Sequence, residues 1–131
     1  MPASIPLVRL NQVLPVSSFL SRIGAPVERW MREAGLPVQA LGDPHVLASA
    51  HLIYEFVDRA ARAEGIEDLG WQVGIATRMR DLGELGAAFG AGSPAACLHD
   101  ALELAFAHAR HESRRIHLWI QRHGEQVRLC Y

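Results

Sequence analysis

The hydrophobic period changes once along the chain, from about 3.6 to 2, and that change bounds the fold. Up to about residue 112, apolar residues recur at helical spacing. Ile53, Phe56, Val57 and Ala60 make one such stripe, and Leu98, Leu102, Ala105 and Ala109 make another. Beyond it, Ile116, Leu118 and Ile120 alternate with His117, Trp119 and Gln121, and Val127, Leu129 and Tyr131 alternate with Arg128 and Cys130. A helix buries a stripe, whereas a half-covered strand buries every second residue. The expected class is therefore α+β: a predominantly helical N-terminal bundle of about five or six helices, followed by a C-terminal antiparallel β-hairpin belonging to a truncated sheet.

Glycine and proline divide the helical part. Pro2, Pro6 and Pro15 predict an extended arm over residues 1–15, with 5–10 apolar enough for an edge strand. A helix is expected over 16–23 with Phe19, Leu20 and Ile23 inward, stopped by Gly24. The next opens at Pro26 and closes at Gly35, with Val27, Trp30, Met31 and Ala34 inward. Residues 36–47 read as a loop with one helical turn near 38–41. Ser49 reads as the N-cap of the helix that Gly65 ends. A helix over 67–76 with Leu69, Val73 and Ala76 inward comes next. It precedes a Gly-rich helical segment over 82–91, in which Gly83, Gly86 and Gly90 serve close packing. Ser93-Pro94 is the strongest helix start in the chain, and its helix runs to about Glu112.

The hairpin follows. With His123-Gly124 as its two-residue loop, Ile120 pairs with Val127, Leu118 with Leu129 and Ile116 with Tyr131, and Trp119 faces Arg128 on the opposite side. Two strands are marginal alone and leave an open edge. Either residues 5–10 lie along the hairpin or two chains pair through it. The chain ends in mid-strand, so it is read as one domain, 1–131, of a longer protein.

Composition narrows the function classes. The chain has 131 residues, half of them hydrophobic, with a net charge of −1, a composition that folds and does not favour nucleic acid. All 13 basic residues are Arg, which excludes a P-loop lysine and Schiff-base chemistry. Cys97 and Cys130 form no C-x-x-C, consistent with free thiols in a reducing cytosol, and a cytoplasmic location is expected. The longest uncharged run, 85–98, has 14 residues, too few to span a membrane.

Chemistry is sparse. His108 and His111 stand at i, i+3, a usable ligand spacing, but histidine at a helix C-terminus also serves the dipole, and no metal is expected. Cys97 and His99 stand at i, i+2 and do not face each other on a helix. Ser17 and Ser18 lie in no nucleophile elbow. Asp68-Leu69-Gly70 and Asp81-Leu82-Gly83 read as helix caps. Gly70-x-x-x-Gly74 lacks the preceding strand of a dinucleotide site. No enzymatic activity and no cofactor are expected. Trp30, Trp71 and Phe89 read as core rings, while Trp119 lies on the hairpin face away from the apolar stripe. A concave site, if one exists, is expected between the Gly-rich helix and the hairpin, lined by Phe89, His117 and Trp119.

Certain segments, read in order, carry a family resemblance. They are Ile5-Pro-Leu, Gly24-Ala-Pro-Val-Glu, Glu33-Ala-Gly-Leu-Pro37, Asp43-Pro, Gly65-Ile-Glu-Asp-Leu-Gly70 with Val73-Gly74, Asp81-Leu-Gly-Glu-Leu-Gly86, and Ser93-Pro94 with Ala101-Leu102. Together they resemble the N-terminal arabinose-binding-type domain of AraC-family transcriptional regulators, in the subgroup whose N-terminal half is mostly helical. Ser93-Pro94 departs from the family in being followed by Ala95-Ala96 rather than Thr-Leu. The resemblance implies a bacterial effector-sensing and dimerisation domain. It implies a homodimer, an unidentified small-molecule effector, and DNA contact only through a C-terminal helix-turn-helix unit absent from this chain. The alternative is a stand-alone helical interaction scaffold with no small-molecule ligand.

Overall fold

The computed structural model describes residues 5–43, 45–78, 81, 86, 97–112 (backbone alone at 111 and 112) and 117–130. Among them are five α-helices and two two-stranded antiparallel sheets, an α+β arrangement as the two hydrophobic periods require. The residues cluster into two compact units, Met1–Thr77 and Arg78–Tyr131.

The first unit begins with strand β1 (Leu7–Arg9). A 3-10 turn (Leu10–Val13) runs directly into helix α1 (Leu14–Arg22). Pro15 therefore does not hold the helix off, as the sequence reading had it. It sits in the first turn, where its missing N–H has no intrahelical partner to lose. Helix α2 (Val27–Glu33) follows, with Pro26 in the N-cap position. Gly24 and Gly35 flank it at φ +81° and +78°, angles that glycine adopts without the steric penalty of a Cβ.

The loop after α2 carries the expected single turn (Val38–Ala40) and then strand β2 (Leu47–Ser49). This strand corrects two expectations. Leu47 is expected to end a loop and Ser49 to cap the next helix, and residues 5–10 are one of two expected covers for the hairpin edge. Instead β1 pairs with β2, Leu7 opposite Ser49, Val8 opposite Ala48 and Arg9 opposite Leu47. Backbone bonds from Leu10 N to Val46 O and from Ala50 N to Pro6 O, both 2.8 Å, extend the ladder at each end. A three-residue strand is too short to show a period, and its partner lies some forty positions away, so only tertiary pairing defines it.

Ser49 passes straight into α3 (Ala50–Glu64), which ends at Gly65 with φ +66°. Helix α4 (Leu69–Ala76) closes the unit. The core draws its buried side chains from the first 3-10 turn, the four helices and β2, together with Leu36. Leu10, Val13, Leu20, Met31, Phe56 and Ala60 are wholly buried, with Leu36, Ala48, Leu69 and Val73 nearly so. The expected inward faces hold for α2 at Val27, Met31 and Ala34, with Trp30 half-buried, and for α3 at Phe56 and Ala60. Trp71, expected in the core, is instead 71% exposed on α4.

The second unit contains α5 (Leu98–Glu112), which packs against strand β3 (Trp119–His123) of a hairpin completed by β4 (Gln126–Cys130). Leu98, expected on the buried stripe of α5, is exposed, while Leu102, Ala105 and Ala109 are partly covered. The Ser93-Pro94 helix start lies outside the described residues. So does the Gly-rich segment 82–91, apart from Gly86, which is helical and buried.

The hairpin register also departs from expectation. Ile120 pairs with Leu129 and Arg122 with Val127, so the loop is Gly124-Glu125. The reason is local. A loop with glycine second needs its first residue, His123, at positive φ as well, to form a type I′ turn. With glycine first, a type II′ turn needs positive φ at that position alone. Gly124 has φ +60°, and among the described residues no non-glycine has positive φ. The slip is by two positions on the partner strand, so each face keeps its residues. Ile116 and Tyr131, the outermost expected pair, lie outside the described residues.

Candidate functional site

Of the three expected lining residues, two are described, both in the second unit. Trp119 opens β3 and remains 47% exposed. Its cross-strand neighbour is Cys130, not Arg128 as expected, because of the slipped register. Gln121 and Arg128 form the next pair on that face, and the Cys130 thiol lies 3.9 Å from Gln121 Oε1. The face thus offers an aromatic ring, a thiol, an amide and a guanidinium, a mixed surface able to stack on and hydrogen-bond a small polar molecule. His117 precedes the strand and is exposed. Phe89 lies outside the described residues.

The first unit presents a different polar constellation, at the α2–α3 contact. Arg29 Nε donates to Glu33 Oε1 at 2.9 Å, and Arg59 reaches Glu33 Oε2 at 3.6 Å and Glu55 Oε1 at 2.9 Å. Trp30 Nε1 donates to Glu64 Oε1 at 3.1 Å, tying α2 to the last turn of α3, and the Arg29 guanidinium stacks 4.9 Å from the Trp30 ring centre. A shallow groove along α3 is lined by Glu55, Asp58, Arg59, Arg62 and Ala63. Arg62 pairs with Asp58 at 2.8 Å, so both guanidiniums in the groove are already matched by carboxylates. That arrangement holds two helices together and leaves no uncompensated charge for a ligand.

The network has a pH signature. The hydrogen bond from Arg29 holds the Glu33 carboxyl below its ordinary value. Partial desolvation opposes this, and the charges of Arg29 and Arg59 add to the lowering. A depressed folded-state pKa contributes stability above the unfolded value, and that contribution is lost as pH falls through the folded one. Glu33→Gln is expected to lower the urea midpoint at neutral pH. The gap to the parent should close as pH drops below the ordinary glutamate range of about 4.3. A gap independent of pH would show that the charge of Glu33 contributes nothing. The effect is small because the group is exposed.

Asp68 stands in the N-cap position of α4, as expected, but makes no capping bond. Its carboxylate accepts from Gln72 Nε2 at 2.7 Å. Asp81 Oδ2 accepts from the Arg78 backbone N–H at 3.2 Å. Among the described residues, no group of three His, Cys, Asp or Glu side chains is disposed to hold a metal, and no helix is long and apolar enough to cross a membrane.

Comparison with known families matches residues 24–131 to the arabinose-binding domain found at the N-terminus of AraC transcription regulators. No curated protein matches the chain.

Proposed function

The chain belongs to the family of N-terminal arabinose-binding domains of AraC transcription regulators, and from that membership we propose that it is the effector-sensing and dimerisation domain of a bacterial, cytoplasmic regulator. In this reading a small molecule binds the domain and shifts the DNA affinity of a helix-turn-helix unit elsewhere in the same protein. The observation that carries it is the extent of the match, which takes in all of α2 to β4. The net charge of −1 supports assigning DNA contact to another part of the protein, since phosphate neutralisation draws on a basic excess. Regulatory ligand binding of this kind requires neither catalysis nor a metal.

The effector site proposed is the Trp119 face of the hairpin, with His117 beside it, and Phe89 is proposed as a further lining residue from the sequence. Its ring and polar groups suit a small hydroxyl- or carboxylate-bearing molecule. A ligand that binds only the folded state raises the melting temperature by mass action. Thermal-shift measurement against a panel of pentoses, hexoses and small organic acids is expected to yield at least one compound that stabilises the chain in a saturable manner. Silence across the panel at millimolar concentrations would favour the scaffold reading, in which the domain binds proteins alone.

A further inference from the structure

Helix α4 is apolar on both sides and covered on one. Its sequence, Leu69-Gly-Trp-Gln-Val-Gly-Ile-Ala76, contains no charged residue. Leu69 and Val73 are buried, and the helix packs against α1. On the outer side Trp71 is 71% and Ile75 69% exposed, one turn apart. Gly70 and Gly74 are also exposed, and a Cβ added to either would meet nothing within 4 Å. A helix apolar all round is normally enclosed on every side.

Resting on the reading above that the domain acts as a dimer, we propose that two copies meet through this face, with the α4 helices antiparallel about a two-fold axis. A two-fold interface must be complementary to itself. Here one register satisfies shape and charge together. It sets Trp71 of one copy level with Gly74 of the other, and Ile75 level with Gly70, so bulk meets open backbone. The same register brings the flank that carries Glu67, before the helix, toward the flank that carries Arg78, after it, and both side chains are exposed. Acidic residues precede α4 (Glu67, Asp68) and a basic residue follows it, so antiparallel copies attract and parallel copies repel. The antiparallel arrangement also opposes the two helix dipoles favourably. Trp and Arg are the residues most often found to dominate such contacts.

Sedimentation equilibrium of the full chain over a wide concentration range tests this. The parent is expected to dimerise. Trp71→Glu should weaken the dimer about a hundredfold or more. Glu67→Arg and Arg78→Glu should each weaken it about tenfold, and the two together should restore it. Within one chain the two positions are separated by the whole of α4, about 12 Å, so rescue requires contact between copies. Far-UV circular dichroism confirms folding, and Ile75→Arg replaces Trp71→Glu if the latter fails to fold. A monomeric parent would overturn both the dimer and this surface, and shielding of Trp71 from acrylamide in that monomer would assign the cover to the chain's own downstream residues. A dimer that survives Trp71→Glu but dissociates on Leu129→Arg would keep the dimer, move the interface to the hairpin and overturn the α4 surface. Absence of charge-swap rescue would overturn the antiparallel register.

Discussion

Phe56→Ala is expected to lower the unfolding free energy of the first unit by about 3–5 kcal/mol. Phe56 is wholly buried on α3, and among the described residues it is the largest of the fully enclosed side chains. It belongs to one buried cluster with Leu10, Val13, Leu20 and Met31, which come from the 3-10 turn, α1 and α2. Truncation removes the transfer energy of the ring and leaves a cavity whose walls belong to separate elements and collapse only in part. Domains of this size are stable by about 5–15 kcal/mol, so the variant should be partly unfolded at moderate temperature. Urea denaturation followed by circular dichroism reads the change. Tyr54→Ala is the control. Tyr54 is 72% exposed on the same helix, and its loss should move stability by no more than about 0.5 kcal/mol. Equal midpoints for the two variants would show that Phe56 does not organise the core.

Trp119→Ala is expected to abolish effector-induced stabilisation while leaving the fold intact. At an effector concentration one hundred times its dissociation constant, the parent gains about 2.7 kcal/mol, a rise of several degrees in melting temperature. Trp119 is nearly half exposed and is not part of the buried core, so its removal alone should cost little. The experiment separates a ligand-stacking ring from an ornamental one, because the measured quantity is the difference with and without effector in each variant. His117→Ala should reduce the gain without eliminating it, since an exposed imidazole contributes a hydrogen bond while the ring contributes stacking area. A Trp119→Ala variant that responds like the parent would move the site off the hairpin.

Much of the helical part is legible from local chemistry. Gly24, Gly35 and Gly65 mark helix ends because each takes a positive φ that other residues resist. The Ile53, Phe56, Val57, Ala60 stripe identifies the inward face of α3, because a helix of regular pitch presents i, i+3, i+4 and i+7 together. The Trp119 side of the hairpin was legible from strict alternation, and it survived a register slip of two because strand faces repeat every two residues. The same inference reached Trp119, His117 and Phe89 as candidates, and Phe89 lies outside the described residues. Trp71 was misplaced because the size of its apolar ring was weighed above its position, two residues from Leu69 and so on the side of α4 away from the Leu69 and Val73 face.

By itself, then, the sequence determined the α+β class, the helix ends marked by Gly24, Gly35 and Gly65, and the inward faces of α2, α3 and α4. These depend on backbone sterics and side-chain period within about fifteen residues. Only the tertiary structure decided that β1 pairs with β2, that the turn is Gly124-Glu125, and that α4 shows Trp71 and Ile75 to solvent. The first joins residues about forty apart, where no local preference selects the partner. The second is a choice between turns, decided by which one spares His123 a strained φ. The third concerns single side chains: the helical spacing of Leu69 and Val73 already marks the covered face of α4, and only the packing shows that Trp71, two positions from Leu69, stays exposed.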